Sequence, residues 1–287
     1  MNEPRHRSIR AYYYKLFSAW GRQHWWPAQS RFEMIVGAYL TQNTAWTNVE
    51  KALANLRKSR LLTVSGIRRT PPSKLERLIR SSGYFRQKTR RLKEFVRFLD
   101  ARYGGSLARM LARPTAELRQ ELLALHGVGP ETADSILLYA GNHPIFVVDA
   151  YTRRIFERHQ IISNTTTYDE IRLLFEQALG EAPAAKSFSP SRRRERRENP
   201  RAGSNYLGGV QKTLPGALGL SAVNKHSSGP QGSSHPPSVV SEATRSPLVQ
   251  VFNEMHGLIV GVGKNYCLKS QPRCEQCPLH KFLPSSK

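Results

Sequence analysis

The nine residues Leu125-His-Gly-Val-Gly-Pro-Glu-Thr-Ala133 restrict the fold more than any other part of the chain. One helical pattern stops at their start and another begins at their end, so the backbone must turn within a few residues. Gly127 and Gly129 permit that turn, because glycine reaches backbone angles that a Cβ disfavours. Pro130 suits the first turn of the next helix. Short helices joined by compact turns are the rule on both sides. Apolar residues recur at helical spacing over 32–40, over 46–56 through Val49, Leu53 and Leu56, and through Leu92, Phe95, Val96 and Leu99 up to Gly104-Gly105. Further helices are expected over 75–79, 118–125, 131–140 and 171–179, and again from Leu248 through Val251, Met255 and Ile259. Ser73-Lys-Leu-Glu76 and Thr167-Tyr-Asp-Glu170 have the form of capping boxes. The β-branched run over 145–148 is short and stands alone. The expected fold class is all-α.

Residues 183–247 break this order. They are rich in Ser, Pro and Gly, contain the charge run Arg192-Arg-Arg-Glu-Arg-Arg197, and hold few large apolar side chains. Such a segment buries too little surface to offset its ordering entropy, so a disordered insertion is expected. It reads either as a basic tether for DNA or as a tolerated surface insertion; the second is preferred, because long loops cost little stability. Composition matters next. The chain has 44 Lys+Arg against 21 Asp+Glu, a formal +23. The insertion holds ten basic and three acidic residues, leaving +16 with the remainder. A polyanion is the natural partner of so basic a body. No run of about 18 apolar residues points to a membrane span, and the start, MNEPRHRSIR, lacks the apolar stretch of a secretory signal. Three clustered cysteines argue against a disulfide framework. A cytoplasmic protein is expected.

Phe146-Val-Val-Asp-Ala-Tyr-Thr-Arg-Arg154 places an acid, Asp149, about twenty residues beyond the glycine turn. An Asp before such a run serves well as a helix N-cap. A cap also sits at the mouth of a helix, where a substrate can reach it, so the two roles are compatible. All four tryptophans lie in the first 46 residues, including the pair in His24-Trp-Trp-Pro27. Tryptophans so placed pack a core or lid, or line a pocket.

The glycine turn, Val148-Asp-Ala-Tyr-Thr-Arg-Arg154, Leu40-Thr-Gln-Asn-Thr44 and the C-terminal cysteines together resemble the endonuclease III superfamily of helix–hairpin–helix DNA glycosylases. The resemblance implies two helical lobes with a DNA groove between them. One lobe would be residues 28–130, ending in the hairpin; the other would be 1–27 with 131–182 and 248–287. It implies that Asp149 is the catalytic carboxylate and that Gly127, Val128 and Gly129 clamp phosphate without reading sequence. It puts Gln42 where a glutamine fills the gap left by a flipped base, and Tyr84 where a wedge enters the opposite strand. Lys88, with Arg86, Arg90 and Arg91, would contact phosphates. Bifunctional members carry a lysine just after the hairpin, whose amine attacks the sugar. Glu131 stands there, and a carboxylate forms no imine, so a water-using, monofunctional enzyme is expected. Trp25, Trp26, Pro27 and Trp46 are similar to the base pocket of a bacterial branch that excises 3-methyladenine, with Glu131 beside them. A cationic base bound by indoles fits that chemistry. The expected partner is double-stranded DNA with a damaged base, bound by a monomer. The alternatives are a bifunctional glycosylase/lyase using another amine, such as Lys264, and a non-catalytic DNA-binding module in which Asp149 only caps.

Cys267, Cys274 and Cys277 match three of the four ligands of that family's [4Fe–4S] loop, and Leu283 stands where the fourth is due. With His280 nearby, the set admits a cluster, a zinc ion or a loop without metal. Any metal there would order the loop rather than catalyse.

Overall fold

The computed structural model describes residues 3–26, 28–180, 242 and 244–284, and among them are twelve α-helices and no strand. Hydrophobic periodicity decides most of them. In α2 (Arg31–Thr41), residues 32–40 are all buried, and a helix apolar all round belongs in a core. Against it pack α3 (Trp46–Lys58) and α6 (Phe85–Tyr103), and α6 in turn carries α4 (Val64–Arg69), α5 (Pro72–Leu78) and α7 (Leu107–Leu111), with α8 (Thr115–Leu123) following. A second group unites α1 (Glu3–Trp20), α10 (Ala150–Arg158), α11 (Tyr168–Gly180) and α12 (Pro247–Asn265). Between the groups runs α9 (Pro130–Ser135), which continues as a π-helical turn, Ile136–Ala140. That turn touches both α2 and α12, and every side chain from Thr132 to Ala140 is buried. No helix among the described residues is long and apolar enough to cross a membrane.

Several expectations change in detail. The N-terminal residues, read only for the absence of a leader, form α1, with Ile9, Tyr12, Tyr13 and Leu16 buried at helical spacing. The 167–170 box is real: Thr167 N donates to Glu170 Oε2 at 2.7 Å and Glu170 N to Thr167 Oγ1 at 3.3 Å. The one at 73–76 is not. Proline at N1 starts α5 two residues earlier, so Pro71 is the cap and Ser73 lies inside the first turn. The expected helix over 131–140 changes from α to π geometry at Ile136. The insertion ends sooner than expected. Ser246 caps α12, accepting from Val249 N at 3.3 Å, with Pro247 in the first turn, and Arg245 donates to Trp25 O at 3.3 Å. The expectation for 181–241 and 243 lies outside the described residues.

One ion cluster ties these parts together. Asp134 of α9 is fully buried, and Arg119 of α8 grips it through Nε at 2.7 Å and NH2 at 3.2 Å. The same guanidinium reaches Asp169 at the start of α11 at 2.8 Å. Tyr168, next to Asp169, accepts from Val148 N at 3.3 Å. Arg119→Met should lower the unfolding free energy by about 3–5 kcal/mol, because it strands a buried charge. Urea denaturation measures this, and a loss below about 1 kcal/mol would show that the pair does not hold the fold.

Candidate active site

The hairpin forms as its glycines suggest, but the two glycines do different work. Gly127 adopts φ +76°, and an added Cβ would also collide with the Arg91 side chain. The fold therefore requires glycine there. Val128 is buried and holds the turn, its N–H donating to Leu125 O at 3.1 Å. Gly129 has φ −92°, which any residue tolerates, and a Cβ there would meet nothing within 4 Å. The fold has no need of a glycine at 129. Its bare backbone faces outward, free for close approach from outside.

Asp149 caps α10 in a complete capping box: Oδ1 accepts from Thr152 N at 2.7 Å and from Thr152 Oγ1 at 2.8 Å. Rather than standing at an exposed mouth, its side chain is only 11% exposed. Oδ2 takes no part in the cap and lies 3.5 Å from His256 Nε2. Burial pushes the Asp149 carboxyl upward, but His256 and the Thr152 hydrogen bonds more than reverse this, leaving it below the usual carboxylate range.

The carboxylate lines a cavity of about 780 Å³, which also takes in Trp25, Trp26, Trp46, Glu131, His256 and Lys264. Close packing against small residues places the indoles: a Cβ on Gly37 would lie 3.2 Å from the Trp26 ring, and one on Gly257 would lie 3.0 Å from Trp25 Cβ. Trp26 is buried, edge-on to Trp46 with centroids 5.1 Å apart. Trp25 and Trp46 are half-buried, 6.4 Å apart and inclined by 42°. Two stacking contacts of about 3.5–4.0 Å each need more room, so a planar base stacks on one ring or parts the two. Pro27 lies outside the described residues.

Glu131 borders this cavity from an exposed position in the first turn of α9. Burial pushes its carboxyl up to about 7, the Asp149 charge adds to the rise, and His256 opposes it. Two neighbouring carboxyls are thus driven apart, a pattern that goes with acid–base work. Lys264 stands with Nζ 5.7 Å from the Trp25 ring centroid. Burial lowers the pKa of its ammonium, while the charges of Glu50 and Asp149 pull the other way.

The DNA-contact expectations divide. Tyr84 is 65% exposed and left-handed at φ +43°, held out at the start of α6 as a wedge must be. Gln42 is committed within the protein: Nε2 donates to Gly127 O at 3.0 Å and Thr132 Oγ1 at 2.9 Å, and Oε1 accepts from Arg91 at 2.6 Å. Filling a gap in the duplex would require it to leave all three. Lys88 is a correction. It is 1% exposed, and Nζ donates to Leu40 O at 2.9 Å, Thr44 Oγ1 at 2.7 Å and Ser82 O at 2.6 Å. It gathers carbonyls at the end of α2 and cannot reach a phosphate; burial lowers its pKa to about 8. Arg86 and Arg90 remain exposed on the same helix.

His256 was not anticipated. It falls in an apolar stretch of α12, and the available signal was its spacing, since His256, Val260 and Lys264 lie four residues apart on one face and all border the cavity. At the C-terminus, Cys267, Cys274 and Cys277 surround a void of about 20 Å³, room for about one water. Leu283 and His280 line it too, and Arg158 donates to Cys267 Sγ at 3.1 Å. Among the described residues no three His, Cys, Asp or Glu side chains group closely enough to hold a metal ion. As arranged, the loop does not fit a four-thiolate cluster.

The profile described as HhH-GPD superfamily base excision DNA repair protein matches residues 36–181. A protein of Methanocaldococcus jannaschii whose name describes a DNA repair glycosylase is 45% identical over 180 residues, 62% of this chain and 82% of its own length. Endonuclease III of Thermotoga maritima is 34% identical over 127 residues, 44% of this chain and 55% of its own. Among solved structures, H. pylori 3-methyladenine DNA glycosylase bound to 1,N6-ethenoadenine superposes with TM-score 0.61 at 25% identity, covering 91% of this chain and 97% of that one. An endonuclease III–DNA covalent intermediate gives 0.63 at 17% identity over 97% and 95%, a likeness of fold.

The hairpin glycines are separable by substitution. Gly127→Ala should cost about 1–2 kcal/mol through its left-handed backbone, whereas Gly129→Ala should leave stability unchanged or raise it by about 0.4–1 kcal/mol. Chemical denaturation of the two variants decides, and equal losses would contradict the distinction.

Proposed function

The chain belongs to the HhH-GPD superfamily of base excision DNA repair proteins, and from that membership we propose that it is a monofunctional glycosylase for alkylated purines, with 3-methyladenine the foremost substrate. A DNA glycosylase of base excision repair works on double-stranded DNA carrying a damaged base. The observation that carries the finer reading is a cavity holding Asp149 beside a glutamate, where an amine is needed for strand cleavage, and walled by tryptophans. A flipped 3-methylated purine is cationic, so its glycosidic bond is already weakened and indole faces attract it.

The chemistry then follows. The bond from C1′ to the base nitrogen breaks, its electron pair goes to the base, and the cationic purine leaves neutral. A water oxygen bonds to C1′, and its proton passes through Asp149 to solvent. Ionised Asp149 offsets the positive charge of the oxocarbenium-like sugar. The cap needs only Oδ1. Oδ2 is left over for this work, which favours catalysis over capping alone.

A second reading rests on Lys264, which faces the same cavity and whose amine burial makes easier to deprotonate. In a bifunctional enzyme that amine would attack C1′ in place of water. Duplex DNA treated with a methylating agent separates the readings. The first expects free 3-methyladenine, nicks only after alkali, and no protein–DNA adduct on borohydride reduction. Nicks without alkali and an adduct lost in Lys264→Ala support the second. Asp149→Asn should cut excision by at least about 100-fold while duplex binding stays within about threefold; comparable residual excision overturns the assigned role.

Glu131 supplies a pH signature. With its carboxyl near 7, it is neutral below that pH and charged above it, and the charged form attracts a cationic base. Single-turnover excision of 3-methyladenine should therefore rise between about pH 6 and pH 8, and Glu131→Gln should flatten that rise. The same rise persisting in the variant would assign it to another group.

A further inference from the structure

Behind Asp149 lies a chain of groups that neither capping nor base recognition requires. His256 sits on α12 with its side chain 5% exposed, and its two ring nitrogens face different partners. Nδ1 meets the Tyr139 hydroxyl in a hydrogen bond. Nε2 is buried, makes no hydrogen bond, and points at Asp149 Oδ2 from 3.5 Å. Tyr139 itself is fully buried in the π-helical turn, a geometry that recurs at functional sites because it re-aims a side chain. The Trp25 indole N–H lies toward the Tyr139 oxygen without completing a hydrogen bond, and it favours negative charge there.

The ring's proton can be placed by elimination. In a neutral imidazole one nitrogen donates and the other accepts. A proton on Nδ1 would leave the Nε2 lone pair facing an ionised carboxylate, which is repulsive. A proton on Nε2 points at Oδ2 and lets Nδ1 accept from Tyr139. An imidazolium also presents Nε2–H to Oδ2. Both favourable states aim the same donor at the carboxylate oxygen that the cap leaves over.

We propose that His256, locked by Tyr139, is the positioning residue that holds Oδ2 of Asp149 toward the sugar and keeps that carboxylate ionised in its buried site. The proposal rests on the reading of Asp149 as the carboxylate of glycosyl hydrolysis. The charged and titratable groups that share the cavity wall with Asp149 or act on its charge are Glu131 from α9, Tyr139 from the π-helical turn, Arg91 from α6, Tyr151 and Arg154 from α10, Tyr168 from α11, and His256 and Lys264 from α12. Of these, Glu131 opposes the carboxylate's charge and His256 is the contact that supports it at close range. Without His256, the Thr152 hydrogen bonds are left to oppose burial by themselves, and the carboxyl rises.

Two measurements on the full chain test this. The first is ¹⁵N NMR of the histidine ring nitrogens, which needs no substrate. His256 is expected to carry a proton on Nε2, with that resonance displaced by Asp149→Asn; a neutral ring protonated on Nδ1, or a signal blind to Asp149→Asn, overturns the proposal. The second is single-turnover excision across pH. His256→Ala should slow it by about 10- to 100-fold, as expected for losing a group that orients a reacting one. Binding to an abasic duplex should stay within about threefold, and the acid limb should move to higher pH. His256→Gln, whose amide restores an N–H toward Oδ2, should recover most of the rate. An acid limb unmoved in His256→Ala, or His256→Gln no better than His256→Ala, overturns it. If the wild type releases no methylated purine, the substrate reading fails while the NMR measurement still decides this one.

Discussion

A buried carboxylate cannot stand alone in a protein interior, and the arrangement of this molecule follows from how Asp134 is neutralised. Isolated in a medium of low dielectric its charge would cost several kcal/mol, so Arg119 must approach from the preceding helix. That requirement closes the hairpin. The same guanidinium binds Asp169 at the head of α11, and the adjoining Tyr168 accepts from the backbone of Val148. Glu131 lies one helical turn before Asp134, and Asp149 lies one residue after Val148. The ion cluster therefore fixes, from behind, the two carboxyl groups that meet in the cavity. Rigid support set on helices is what holds two groups in one fixed geometry.

With the pair in place, surroundings separate their behaviour. Glu131 has no cation close enough to outweigh burial and is pushed up to about 7. Asp149 has two donors from Thr152 and an imidazole beyond them, and its charge is secured. One group is thus available as a permanent anion and the other as a titrating one. The difference arises from contact: Thr152 donates to Asp149 and His256 stands 3.5 Å from it, whereas burial remains the largest influence on Glu131.

Much of this was legible in the chain. The glycine turn, the cap at Asp149 and the glutamate at 131 each follow from local chemistry, because caps and turns are satisfied by residues near in sequence. What local chemistry does not carry was misread or missed. Lys88 looks like a member of an exposed basic run, yet three oxygens from 40, 44 and 82 converge on it. Those two carbonyls and one hydroxyl become neighbours only after α2 and α6 pack together. His256 interrupts an apolar helix and would pass for a satisfied core histidine; its partner is more than a hundred residues away in the chain. Gly129 was grouped with Gly127, and only the empty space around its Cα separates a glycine the fold requires from one it does not.

The cavity's charge bears directly on the class of base it can take. Tryptophan faces attract cations, but they do not reject a neutral ring, since every base has a face to stack. Selectivity must then come from the ionisable walls. With Asp149 charged and Glu131 titrating near 7, the cavity's potential depends on the cations in its wall, Arg91, Arg154 and Lys264, and of these Lys264 stands beside Trp25. Burial works to strip that ammonium of its proton, while Asp149 and Glu50 work to keep it. A neutral Lys264 removes one of the cavity's cations, beside Arg91 and Arg154, and so shifts the site toward a methylated, positively charged purine. A charged one cancels a carboxylate and supplies a hydrogen-bond donor that a neutral lesion could use. The same balance decides whether the amine can act as a nucleophile, so base choice and reaction type are coupled through one lysine.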